Sequence, residues 1–241
     1  MKLSPLWVTA ALGGSRSASC QLVFSSSTDA QPTIDDGRVP CTSAKQFTTT
    51  LQQDTYIVKG VDSNFDSADA MQVDGPSTAG LLEFRISIAI ATAMLKQRFK
   101  VFTLTVPVAP LNACATNCTA ICAQTEGVVQ LDLLKDSDWE EATATWTNRT
   151  GATVWNPAGA LIRPDNLSTI ATANSSLSSK TITFEVNPDQ SDLLWSALTD
   201  SREWSFRLSA SATASVAFAD RSGAICNTAV AAPTLTVSIC Q

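Results

Sequence analysis

Short runs of alternating apolar and polar residues dominate this chain, and that period of two limits its fold more than any other feature. Residues 81–90 place Leu82, Phe84, Ile86 and Ile88 on one face and Glu83, Arg85 and Ser87 on the other. Residues 100–106 turn Phe102, Leu104 and Val106 to one side in the same way. Successive strand side chains point to opposite faces, so each run can bury one face against a second sheet. Similar strand signals cover 54–58, 70–73, 128–134, 181–186, 204–209, 214–219 and 234–239, with turn-rich gaps between them. Residues 189–198, following Asn187-Pro188, predict one short helix, and no long helical periodicity is present. Nine or ten short strands predict an all-β fold: an antiparallel β-sandwich with jelly-roll or Greek-key connections.

A chain of 241 residues can bury a substantial core, and one large all-β domain is the expected count. The formal charge is −6 and the pI about 4.6, which leaves no basic footprint for nucleic acid. Lys2, an apolar stretch over residues 3–14 and the small residues 15–20 read as a secretory signal. Ser17-Ala-Ser-Cys20 lacks the leucine expected three positions before a lipidated cysteine. The apolar stretch is shorter than the roughly 20 residues a membrane span needs. Removing Lys2 and Arg16 from 16 basic residues leaves 14 against 22 acidic ones, a mature charge of −8. The expected organisation is a signal over 1–20, an extension over 21–50 and a sandwich domain over 51–241 with a cysteine-rich insertion at 111–127. The extension reads either as a tail pinned by Cys41 or as an arm that pairs with a neighbouring subunit's sheet edge.

Seven cysteines in a chain expected to be secreted predict disulfides. If Cys20 leaves with the signal, Cys41, Cys114, Cys118, Cys122, Cys226 and Cys240 remain. Seven strand residues separate Pro233 from Cys240, roughly 23 Å at ~3.3 Å per residue, which disfavours Cys226 with Cys240. Cys41 with Cys240 fits better, leaving Cys114, Cys118, Cys122 and Cys226 to pair among themselves. Four sequons, at Asn117, Asn148, Asn166 and Asn174, are candidate N-glycosylation sites.

Histidine is absent, which excludes Ser-His-Asp and Cys-His catalysis and His-containing zinc sites. Tyr56 is the single tyrosine, and it falls inside a predicted strand. Glu83, Glu140, Glu141 and Glu185 show no spacing that marks a catalytic carboxylate pair. Asp62-Ser-Asn-Phe-Asp66 begins like a calcium loop, but Ser67 stands where Gly is needed and Val73 where Glu is needed. The chain is therefore expected not to be an enzyme and to carry no metal and no cofactor.

Several blocks recur in a recognisable order. They are Gln53-Asp-Thr-Tyr-Ile-Val58, Asn64-Phe65, Leu81-Leu-Glu-Phe-Arg-Ile86, and Asp136-Ser-Asp-Trp-Glu-Glu-Ala-Thr-Ala-Thr-Trp146. Downstream lie Thr181-Ile-Thr-Phe-Glu-Val186, Trp195, Trp204-Ser-Phe-Arg-Leu208 and Pro233-Thr-Leu-Thr-Val237. Over roughly residues 51–239 the chain resembles the DNRLRE domain family, secreted β-sandwich modules that include alginate-binding carbohydrate modules. The resemblance implies that Trp139, Trp146, Trp195 and Trp204 are scaffold anchors, each burying ~150–250 Å². It also implies Lys and Arg on a concave sheet that pair with uronate carboxylates, a role suited to arginine's planar fork. Arg85, Arg207 and Arg221 are the candidates. Trp155, beside Asn156-Pro157 in a loop-like stretch, is the candidate sugar-stacking platform.

The function expected from this reading is a secreted, non-catalytic carbohydrate-binding module for a cell-wall or extracellular-matrix polysaccharide. The rival is a structural subunit of an extracellular assembly such as a filament, appendage, sheath or adhesin, whose partners are copies of itself.

Overall fold

The computed structural model describes residues 44–68, 70–95, 100–109, 124–134, 138–155, 169–176, 178–186, 194, 203–225 and 228–240. In chain order the strands are β1 (Ala44–Val58), β2 (Met71–Asp74), β3 (Thr78–Arg85), β4 (Lys100–Pro107), β5 (Gly127–Leu134) and β6 (Thr169–Ser175). They continue with β7 (Thr181–Glu185), β8 (Glu203–Ala210), β9 (Ser215–Phe218), β10 (Ala224–Ile225), β11 (Thr228–Ala229) and β12 (Thr234–Cys240). One helix, α1 (Ile88–Leu95), lies between β3 and β4.

Eight strands form a ribbon in the order β6-β5-β8-β3-β1-β12-β4-β7, antiparallel in each register described. β1 is the strand shared by both halves. Its C-terminal part pairs with β3 from Leu51↔Phe84 to Val58↔Thr78, and β12 lies on its other side. The β1–β3 register shifts between Leu51 and Gln53, a bulge-like irregularity. The two halves face each other across one core. Phe84, Phe206, Leu131 and Trp204 come from one half, and Phe102, Leu104, Phe184, Leu235 and Val237 from the other. Trp204 meets Phe102 edge-on with ring centroids 5.2 Å apart, and its indole N–H donates to the Leu194 carbonyl at 2.8 Å. This is an all-β, sandwich-like fold.

β2 and β9 add Met71, Val73, Val216 and Phe218 to the same core. A side chain at Gly80 would place its Cβ 2.8 Å from the Met71 sulfur, so one could enter β3 there only by displacing the Met71 side chain. A second, smaller cluster lies on the outer face of β1 and β3. It contains Ile57, Ala79, Leu81, Leu134, Trp139, Ala144 and Trp155, with Trp146 packed against it.

Three expectations change. The run 81–90 is not one strand: it ends at Arg85, and Ile88 starts α1 with 66% of its surface exposed. Ser87 caps the helix, its Oγ accepting from Ile90 N–H at 3.3 Å and its carbonyl from Ala91 N–H at 3.0 Å. Ile86, Ile90 and Met94, spaced by four, then turn into the core. The first strand begins at Ala44, so residues 44–50, assigned to the extension, are strand; Phe47 there packs against the core. β6 and the two-residue strands β10 and β11 have no counterpart among the expected strands. The expected helix at 189–198 falls outside the described residues except for Leu194, which is helical. The signal over 1–20, most of the insertion, Cys41, Cys114, Cys118, Cys122, Cys226 and the Cys240 side chain also lie outside them.

Candidate functional site

The loop over residues 138–155 holds the tryptophan block against the outer face of β1 and β3. Trp139 is 2% exposed and donates its indole N–H to Ser205 Oγ at 3.2 Å. Trp155 corrects an expectation. It is 4% exposed and its indole N–H donates to the Thr145 carbonyl at 2.8 Å, so it offers no stacking face to a sugar. Both rings are packing groups on the outer face of one sheet.

This loop is stitched to the Asn64-Phe65 turn. Asn64 Nδ2 donates to the carbonyls of Glu141 and Ala144 at 2.6 and 2.9 Å, and its Oδ1 accepts from Asp66 N–H at 2.9 Å. Thr145 Oγ1 donates to Asp62 Oδ1 at 2.7 Å. Phe65 stacks on Tyr56 with centroids 4.5 Å apart. The segment that began like a calcium loop thus turns its Asp62 and Asn64 side chains to the tryptophan loop. Asn64→Ala is expected to cost about 1–3 kcal/mol, because two carbonyls lose their donor. Urea unfolding of the variant measures that loss.

The candidate arginines are engaged within the chain. Arg207 on β8 sits opposite Asp132 on β5, with Nη2 3.0 Å and Nε 3.2 Å from Asp132 Oδ2. The Arg207 and Asp132 side chains are 13% and 5% exposed. Asp132 also accepts from Thr169 Oγ1 at 2.9 Å and Ser209 Oγ at 3.4 Å. Arg85 faces Glu203 across β3 and β8, Nε to Oε1 3.4 Å, with 68% of the arginine side chain exposed. Arg221 uses Nη1 on the Gln52 carbonyl at 2.5 Å and on Glu141 Oε2 at 3.1 Å. Its backbone N–H donates to Asp54 Oδ1 at 2.9 Å.

Two carboxyls here are perturbed. Asp54 is 6% exposed and its pKa is pushed up to about 7. Burial is the main cause, opposed by the Arg221 N–H bond and reinforced by Glu141 and Asp220. Glu83 is also raised by burial, despite hydrogen bonds from Gln53 and Ser205. Among the described residues no group of three or more Cys, Asp or Glu could hold a metal ion.

The outer face of the other half of the sandwich has a different character. Phe102, Leu104 and Val106 of β4, Ile182 and Phe184 of β7, and Leu235 and Val237 of β12 point into the core. Their alternating neighbours point out. The register aligns Thr234, Thr105 and Thr183 in one row across three strands. Thr236, Thr103 and Glu185 form the next, and Thr48 Oγ1 of β1 lies 3.4 Å from Thr236 Oγ1. Thr48, Thr181 and Thr183 are exposed; Thr103, Thr105, Thr234 and Thr236 are half-buried by one another's company in the sheet. Sequence reading missed this face. Its signal was three Thr-x-Thr runs, at 103–105, 181–183 and 234–236, each with an apolar residue in the middle.

Two sequons can be placed. Asn174 is exposed on β6, the terminal strand of the ribbon. Asn148 is half-buried, its N–H donating to Thr145 Oγ1 at 3.1 Å and its carbonyl accepting from Thr145 N–H at 2.7 Å. Asn117 and Asn166 lie outside the described residues. No described helix is long and apolar enough to cross a membrane.

No family model matches the sequence, and no curated protein matches it. Among solved structures, the chain is similar to a protein described as xylan-binding module CBM15, with a TM-score of 0.36 and 10% sequence identity. That match covers 83% of this chain and 97% of the other.

Proposed function

We propose that this chain is a secreted, non-catalytic carbohydrate-binding module with a DNRLRE-like, jelly-roll-like build, and that its ligand is a cell-wall or extracellular-matrix polysaccharide. The observation that supports the reading is the hydroxyl face on β1, β12, β4 and β7. Aligned Thr hydroxyls each offer one donor and two acceptor lone pairs, the complement of sugar hydroxyls. With the arginines already engaged by Asp132, Glu203 and Glu141, and with a net charge of −6, a neutral polysaccharide fits better than a uronate polymer.

Affinity electrophoresis against a panel of neutral and acidic polysaccharides tests the reading. One neutral polymer is expected to retard the protein, and Thr105→Lys with Thr234→Glu, an opposite-charge pair across the two strands, is expected to abolish the shift while the melting temperature holds. Arg85→Ala is expected to leave the shift in place. Concentration-dependent polymers with no retardation by any polysaccharide would favour a subunit of an extracellular assembly instead.

A further inference from the structure

Resting on the carbohydrate-binding reading, we infer that the hydroxyl face recognises the ordered surface of a packed neutral polysaccharide, many chains at once, and not a single soluble chain. Three observations on this face lead there.

The first is its regularity. Thr234, Thr105 and Thr183 stand side by side, and Thr236 and Thr103 repeat the pattern two residues along each strand. Neighbouring strands lie about 4.7–4.9 Å apart, and alternate residues of one strand about 6.4–6.8 Å apart, so the hydroxyls form a two-dimensional lattice. Threonine is stiff at χ1, so the lattice is largely set before any ligand arrives.

The second is what the face lacks. A single small ligand is usually held in a concave pocket lined by apolar and aromatic side chains. The large exposed hydrophobics among the described residues are Val61, Ile88, Val128 and Val154, none of them aromatic. A hydroxyl bond to a sugar replaces one to water and nets little, so a chain crossing two or three threonines gains too little to offset the entropy of association. A surface that repeats meets every row in one rigid docking event, and the small gains add.

The third is charge. Glu185 is the one charged side chain in the two rows, and it stands at their β7 end. A neutral lattice on an acidic protein complements a neutral surface.

The test compares full-length protein on microcrystalline cellulose, crystalline chitin and insoluble xylan with the matching soluble oligosaccharides. Thr105→Val with Thr234→Val removes two hydroxyls while keeping the branched shape, and Gln130→Lys, exposed on β5 of the other half, serves as control. At least one solid is expected to deplete the protein from solution, with its soluble oligosaccharide at least tenfold weaker. The double Val variant is expected to lose tenfold or more on the solid with an unchanged melting temperature, and Gln130→Lys to behave as the parent. Equal affinity for solid and oligosaccharide overturns the inference and leaves the module reading standing. Binding to no carbohydrate overturns both. Thermal hysteresis in ice growth, lost in the Val variant, would overturn both and assign the lattice to ordered water.

Discussion

Arg207→Ala is expected to destabilise the fold by about 3–5 kcal/mol, because it leaves the Asp132 carboxylate buried without its cation. Asp132 is 3% exposed, and Thr169 and Ser209 supply only neutral hydrogen bonds to it. A drop in the urea midpoint with an unchanged slope measures the loss. Arg207→Met combined with Asp132→Leu is expected to recover most of it, since a packed apolar pair substitutes well for a buried ion pair. Carbohydrate retardation by the double variant should match the parent. The opposite pattern, full stability with lost binding, would return Arg207 to the ligand surface.

Asp54 carries the second large effect, and it is visible as a pH dependence. Burial lifts its folded pKa to about 7 from an ordinary value of 3.8. Because the folded value is raised, this group's contribution is fully present below about pH 4 and is lost as pH rises through 7. A shift of about 3 units corresponds to at most about 4 kcal/mol between those limits. Glu83, also raised by burial, acts in the same direction. Asp54→Asn keeps an acceptor for the Arg221 N–H and removes the charge. The variant is expected to be more stable than the parent at pH 8 and to converge with it near pH 4. Equal separation of the two urea midpoints at both pH values would contradict the assignment.

What could be read from the sequence follows from how local each signal is. Phe102, Leu104 and Val106 alternate against polar neighbours, and all three reach the core as expected. Asp62-Ser-Asn-Phe-Asp66 fails as a calcium loop in the sequence, and the structure gives Asn64 and Phe65 packing and hydrogen-bond partners instead. Ile86, Ile88 and Ile90 misled, because they fit period two as well as Ile86, Ile90 and Met94 fit a helical turn; the Ser87 cap decides. β6 was invisible because Thr-Ile-Ala-Thr-Ala-Asn-Ser offers only Ile170 as a large apolar residue. The candidate site was hardly legible at all. Trp155 reads as exposed from its Asn-Pro flank, and only the three-dimensional packing on Ile57 and Leu81 buries it. The partner of Arg207 depends on the β5–β8 register, which sets Asp132 opposite it. The three Thr-x-Thr runs are separated by dozens of residues, and only the pairing of β12, β4 and β7 brings them into rows.

The central claim, that ligand binds on the hydroxyl face, is tested most directly by hydroxyl-radical footprinting of the protein with and without a polysaccharide that retains it. Protection is predicted at outward-facing positions of β4, β7 and β12, centred on Thr105, Thr183 and Thr234, with none at Arg85, Gln130 or Arg221. Protection centred on Arg85 and Arg221, with the threonine rows unchanged, would contradict it.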